Sequence, residues 1–220
     1  KTTIPERWAF DGKHDGFFVI DPGFDDETAM GLVIEDYEPG RDLVYDGFEA
    51  RHAPPEFYAA ILCGCEDDIL DQFTVPPYVM QEAKRWSRMC RDLPAFTIYG
   101  DPAGKQSHAG ADSWYDRMIL FALEHNPRKN PITQMGQPLV IELNWDRKNA
   151  REHQGRRAAM MNWLRQLDFN DNEQARLMLT ALQRSRFEEN PARGRASEQK
   201  TPKHDAHSHR RTALEYGAVN

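Results

Sequence analysis

A chain of 220 residues that is 40% hydrophobic, 29% charged and 10% aromatic can bury one good core and reads as globular rather than disordered. No apolar run approaches the roughly 18 residues that cross a bilayer, which excludes a membrane-spanning helix. The net charge of −7 is unevenly spread: residues 1–120 carry 11 Lys/Arg against 23 Asp/Glu, and residues 121–220 carry 17 against 12. An acidic half suited to collecting cations therefore precedes a half that tolerates phosphate, with basic residues dense in 147–165 and 184–211.

In chain order, residues 1–16 form a polar lead-in arm. The chain starts at Lys1 with neither a methionine nor a signal peptide, as an excised piece of a longer protein would. Phe17–Asp21 is a strand of aromatic and β-branched residues. Thr28–Glu35 and Arg41–Ala50 follow as strands, with a hairpin turn at Glu38-Pro39-Gly40. Pro54-Pro55 opens a helix that runs through Leu62. After an acidic loop and Pro76-Pro77, Tyr78–Arg91 shows helical spacing, with Val79, Ala83, Trp86 and Cys90 on one face. Pro94 stops it, and Phe96–Tyr99 is the next strand. Ser113–His125 is helical, Pro138–Asn144 is a fifth strand, and Arg156–Leu167 and Asn172–Arg186 are helices. Trp163, Met160 and Met161 lie at helical spacing as core residues. Residues 190–207 read as a flexible basic loop, rich in Pro, Gly and Ser. Ser208–Val219 closes the chain as a short helix that Ser208 can cap. Cys63, Cys65 and Cys90 lack metal-site spacing and read as reduced structural thiols.

Three antiparallel strands, a helix and then parallel strands make an α/β chain with the layout of an RNase H-like domain, a mixed sheet flanked by helices. In that layout the first strand neighbours the strand that follows the first helical segment. Each of those strands ends in an aspartate followed at once by proline, Asp21-Pro22-Gly23 and Asp101-Pro102-Ala103-Gly104. Two rigidly held carboxylates side by side form a hard oxygen site suited to Mg²⁺ or Mn²⁺, the ions that support phosphodiester cleavage. Asp25, Asp26 and Glu27 read as a solvated turn and Glu142 as a secondary candidate. Gly100 and Gly104 allow either close phosphate approach or a tight turn.

The motifs Val19-Ile20-Asp21-Pro22-Gly23, Tyr99-Gly100-Asp101-Pro102-Ala103-Gly104 and Pro202-Lys203…Ser208-His209…Ala213-Leu214-Glu215-Tyr216, in that order, resemble the nuclease domain of the large terminase subunit of tailed bacteriophages. The resemblance covers nearly the whole chain. It implies one RNase H-like nuclease domain over 1–220 that cuts concatemeric double-stranded DNA with Mg²⁺ or Mn²⁺. It also implies an ATPase domain on the same polypeptide, missing here because no GxxxxGK[ST] loop is present. The terminase small subunit and portal protein would be partners, and the procapsid portal in the host cytoplasm the place of action. Asp21, Asp101 and His209 are the implied catalytic residues, with Asp205 as an additional metal ligand. Lys203, Arg210 and Arg211 would contact the DNA backbone. One departure stands out. The family's last helix carries an acidic ligand where this chain has Thr212, and His209, Asp205 and Glu215 are the conceivable substitutes. His204 and His207 read as solvated. The alternatives are a catalytically impaired domain that binds DNA or serves the motor structurally, a junction resolvase, and a hydrolase of small phosphoesters.

Overall fold

The structure is a computed structural model that describes residues 8–23, 26–106, 112–143, 153–184, 187–188, 201–202 and 207–219. Its spine is a six-stranded mixed sheet. β1 (Gly16–Asp21), β2 (Glu27–Glu38) and β3 (Arg41–Arg51) form an antiparallel meander. After α1 (Pro55–Cys63), α2 (Asp67–Leu70) and α3 (Pro77–Asp92), β4 (Thr97–Gly100) returns parallel to β1. A 3₁₀ turn (Pro102–Lys105) and α4 (Trp114–His125) lead to β5 (Ile141–Glu142), parallel to β4. Then come α5 (His153–Trp163), β6 (Leu167–Phe169) and α6 (Glu173–Arg184). A small hairpin of β7 (Phe187–Glu188) and β8 (Thr201–Pro202) precedes α7 (Ser208–Gly217). The sheet order is β5-β4-β1-β2-β3-β6.

β1 sits at the centre of the sheet, and its run of Phe, Val and Ile is apolar on both faces because both faces are covered. Phe18 and Ile20 join Met30, Leu32, Phe48 and the helices α1, α3 and α4 on one side. Phe17 and Val19 join Ala29, Val33 and the helices α5, α6 and α7 on the other. Helix α1 lies within the first layer and is buried on nearly every side, which explains its almost wholly apolar sequence. Pro55 and Pro77 occupy first helical positions, where a missing N–H costs nothing. Ser113 caps α4 in a reciprocal capping box with Asp116. None of the described helices is long and apolar enough to cross a membrane.

Several expectations need correction. The strand expected over 138–144 pairs with β4 only at Ile141–Glu142, and Glu142 lies exposed on that edge. The expected helix 156–167 ends at Trp163, because Leu167–Phe169 becomes a strand parallel to β3. Leu167 and Phe169 are fully buried there, while Asp168 takes Arg41 and Tyr37 as partners. Met160 is core and Met161 is 59% exposed; Trp163 is partly buried and donates from Nε1 to Asp42 at 2.6 Å. Thr201–Pro202, placed in the flexible loop, pairs with β7; residues 190–200 and 203–206 of that expectation lie outside the described residues. Ser208 is inside α7, whose N-cap is His207 with no side-chain capping bond. The lead-in arm docks from Trp8 onward: its ring meets Tyr37 and Tyr45 edge-on, and its backbone is hydrogen-bonded both ways with the Asn170 side chain. All three cysteines are buried and unbridged.

Candidate active site

The parallel pairing of β1 with β4 ends at Ile20 opposite Gly100, and the Asp101 N–H donates to the Ile20 carbonyl at 3.3 Å. Asp21 and Asp101 are therefore adjacent residues at the ends of neighbouring strands. Pro22 and Pro102 follow, and a residue without an N–H cannot extend the ladder. Asp21 is 6% exposed and aims at α7, where its Oδ2 lies 2.8 Å from His209 Nδ1. Asp101 accepts the Ala103 N–H at 2.8 Å, capping the 3₁₀ turn, and is hydrogen-bonded to the Tyr216 hydroxyl.

Burial pushes the Asp21 carboxyl up to about 6, and the charge of Asp101 adds to the rise while His209 and Arg156 oppose it. His209 is also held above its ordinary value. Burial works against its charged form, but the hydrogen bond to Asp21 and the charges of Asp21, Asp26 and Glu49 outweigh that. Burial and then the charge of Asp101 raise the Tyr115 and Tyr216 phenols, so both remain neutral hydroxyls at neutral pH.

Glycine spacing at the second aspartate has a packing cause. A Cβ on Gly100 would stand 2.1 Å from the Tyr115 hydroxyl oxygen, and one on Gly104 would stand 2.6 Å from the Tyr115 ring. Both glycines make room for a tyrosine of α4.

Sheet register adds a residue that sequence patterning missed. Asp21 pairs with Ala29, and Ala29 pairs with Glu49. Residues opposite one another in antiparallel strands project to the same face, so Asp21 and Glu49 flank the small Ala29 beneath α7. His209 feels the charge of both. Glu49 Oε2 accepts from Arg210 Nε at 2.8 Å, and Arg210 Nη1 donates to Gln174 at 3.2 Å. A cavity of about 600 Å³ opens beside this pair, lined also by Glu27, Arg51, Tyr78 and Glu82. The signal available in the sequence was Glu49 at the end of a strand in a meander with Asp21. Reading it required the register.

Arg210 and Arg211, expected at the DNA backbone, are 8% and 4% exposed and turn inward. Arg211 Nε lies 3.4 Å from Glu215, which Arg156 approaches at 3.7 Å from the other side. Arg156 also stacks 4.8 Å over the Tyr216 ring. Glu215 is thus committed to buried arginines. Thr212 is one helical turn from His209, on the same side of α7. His209, implied as a catalytic residue and metal ligand, is 9% exposed. Asp25, Lys203, His204 and Asp205 lie outside the described residues. Asp26 lies 3.6 Å from Arg51 in the bend before β2, and Glu27 opens that strand. Asp21 and Asp101 could hold a divalent ion. Among the described residues no group of three or more His, Cys, Asp or Glu is gathered closely enough to hold one.

The fold is similar to that of a bacteriophage large terminase. The large terminase of the thermophilic bacteriophage D6E aligns with a TM-score of 0.53 at 10% identity, over 97% of this chain and 41% of that one. A second crystal form of it gives 0.48 at 10% identity, over 99% and 40%. This chain therefore spans about 41% of the length of that protein. No protein-family model and no curated protein matches the sequence. At this identity the likeness is one of fold: a mixed α/β architecture with a six-stranded sheet flanked by helices.

Proposed function

We propose that this chain is the RNase H-like nuclease domain of a viral DNA-packaging terminase, a metal-dependent endonuclease acting on concatemeric double-stranded DNA. The observation that carries the reading is the pair Asp21 and Asp101 at adjacent parallel strand ends, on a fold similar to a phage large terminase. Such placement alone would not license a function. Here the hard oxygen donors fall where the chemistry requires them. Burial, and after it the charge of Asp101, raises the Asp21 carboxyl, and a divalent cation beside it would offset both.

Bound Mg²⁺ or Mn²⁺ would supply charge stabilisation at the phosphoryl oxygens and an activated water. The chain's own residues do the rest. Tyr216 orients the Asp101 carboxylate through its hydroxyl, and the Ala103 N–H fixes the other side of that group. His209 holds a proton against Asp21 Oδ2 at its Nδ1 and sets the carboxylate's direction. Arg156, stacked on Tyr216, keeps positive charge behind the site. With Arg210 and Arg211 engaged internally, phosphate contacts would fall to other basic residues, Lys203 among them. DNA, a small subunit, the portal and an ATPase domain on the same polypeptide are the partners of this reading, at the procapsid portal in the host cytoplasm.

Incubating the protein with supercoiled plasmid and graded Mg²⁺ or Mn²⁺ tests it. Nicking and linearisation that disappear in Asp21→Asn and Asp101→Asn support the proposal. Cleavage that persists undiminished in either variant refutes the site. A second reading, an impaired domain that binds DNA in the motor, is favoured by Thr212 at the usual acidic position. It expects DNA binding without cleavage at any metal concentration.

A further inference from the structure

Strand β3 is paired along its length with β2, but on its other side β6 pairs only with Asp42, Leu43 and Val44. The Tyr45 carbonyl accepts from the side-chain amides of Asn170 and Asn172, at 3.3 and 2.7 Å. From Asp46 to Arg51 no strand among the described residues pairs with that side. A strand paired on one side only turns the N–H and C=O of alternate residues outward, ready for another strand. At roughly 3.3 Å per residue the open edge is about 20 Å long, enough for a partner strand of ordinary length.

Helices flank this edge without closing it: α3 packs on one face of the sheet, α6 and α7 on the other. The cavity of about 600 Å³ is lined by both Glu49 and Ala50. Successive strand residues point to opposite faces, so this space wraps around the edge itself. A second cavity of about 220 Å³ lies beside Asp46 and Arg85, and Glu82, Glu173 and Gln174 line both, which makes them one groove. Its charge is acidic in excess. Arg85 is taken by Asp46 and Glu82, Arg210 by Glu49, and Arg51 by Asp26. Glu27 and Glu173 line the groove with no ion pair among the described residues. Glu49 Oε1 is shielded from solvent and has no hydrogen-bond partner among them. A buried carboxylate oxygen without a donor is costly, so a charged donor fits there. Tyr78, 75% exposed in the first turn of α3, offers a ring face to a cation from the other side.

We propose that the outer edge of β3 from Asp46 to Arg51 is a docking site for an extended, arginine-bearing segment of a partner protein, which joins the sheet as an added strand. Backbone hydrogen bonds to the edge hold the segment, and the acidic walls select its side chains. Neighbouring side chains of an added strand point to opposite faces. One arginine therefore reaches the side of Glu49, Glu27 and Glu173, and the next reaches Tyr78 and Glu82 on α3. Guanidinium suits both places, since its planar fork pairs with a carboxylate and stacks on an aromatic ring. This docking site is independent of any metal at Asp21 and Asp101.

The test uses the full chain and a fluorescent peptide of threonine and valine with two adjacent central arginines, followed by anisotropy and by amide hydrogen exchange. Saturable binding that slows exchange within residues 46–51 is expected. A peptide of the same charge with proline at alternate positions cannot donate to the edge and should not bind. Glu173→Lys places a like charge on the groove wall and should weaken binding by roughly tenfold or more. Glu124→Lys makes the same charge change on exposed α4, outside the groove, and should stay within about twofold. Thermal unfolding of both variants checks that they fold. No binding at about 1 mM peptide overturns the proposal. Equal binding of the proline peptide, or binding without slowed exchange at 46–51, overturns the strand addition. Equal weakening by Glu124→Lys and Glu173→Lys reduces the effect to bulk charge and overturns the groove as its site.

Discussion

Asp21→Asn should abolish metal-dependent cleavage and, in the absence of metal, make the protein more stable. The Asp21 carboxyl is raised from 3.8 to about 6, chiefly by burial. At roughly 1.4 kcal/mol per pH unit, holding it ionised in the fold costs about 3 kcal/mol above pH 6. A folded-state value above the unfolded one means that the fold binds the proton more tightly. Stability is therefore gained as pH falls through 6 and is fully gained below the unfolded value. Asparagine removes the ionisation cost but also the charge that His209 faces at 2.8 Å. His209 contributes in the same pH direction: its raised value supplies stability below its unfolded value that is lost as pH rises through the folded one. The net gain for Asp21→Asn in EDTA at pH 7.5 is expected at about 1–3 kcal/mol, which for a chain of this size is a rise in Tm of several degrees. The gain should fall to roughly half by pH 5 and vanish only below about pH 4, because between the two values the unfolded chain still releases the proton that the fold keeps. Urea unfolding followed by tryptophan fluorescence at both pH values measures it. A loss of more than about 1 kcal/mol at pH 7.5 would refute the reasoning, because Asp21 would then be an anchor for α7 rather than a strained functional group.

Gly100→Ala should lower stability by about 1–3 kcal/mol or more, since the new methyl meets the Tyr115 hydroxyl. Tyr115→Phe in the same chain should restore part of the loss, and unaltered Tm in Gly100→Ala would refute the packing account. Glu215→Gln leaves Arg156 and Arg211 buried without their carboxylate, and a cost of about 3–5 kcal/mol is expected by chemical denaturation. A change under about 1 kcal/mol would show that those guanidiniums are compensated elsewhere. Thr212→Asp returns an acid to the side of α7 that carries His209. It should raise Mn²⁺ affinity in calorimetry, and a fall would show that the position is already served by another group.

The meander, the two strand-end aspartates and the capped helix α4 could be read from local chemistry. A run of β-branched and aromatic residues stopped by proline needs no distant partner to declare itself, and neither does Ser113 three residues before Asp116. The errors fall where local chemistry is mute. Leu167–Phe169 looks like the end of a helix until β3 offers a free edge for it. Met160 and Met161 have equal hydropathy, and only the packing of α5 on α7 and the sheet decides which is buried. Arg210 and Arg211 look like phosphate-binding residues in a basic tail. Both are taken up by carboxylates, Glu49 on another strand and Glu215 one turn along α7.

What the sequence determined by itself was a mixed α/β sheet with carboxylates at two strand tips, each stopped by proline. Tertiary structure decided which groups share the site. It set Glu49 in the same row as Asp21, brought His209 to Asp21 and Arg210 to Glu49, and committed Glu215 to Arg156 and Arg211. Strand order and register join residues far apart in the chain, and a shift of one residue would send Glu49 to the opposite face of the sheet. No pattern confined to a single segment can carry that information.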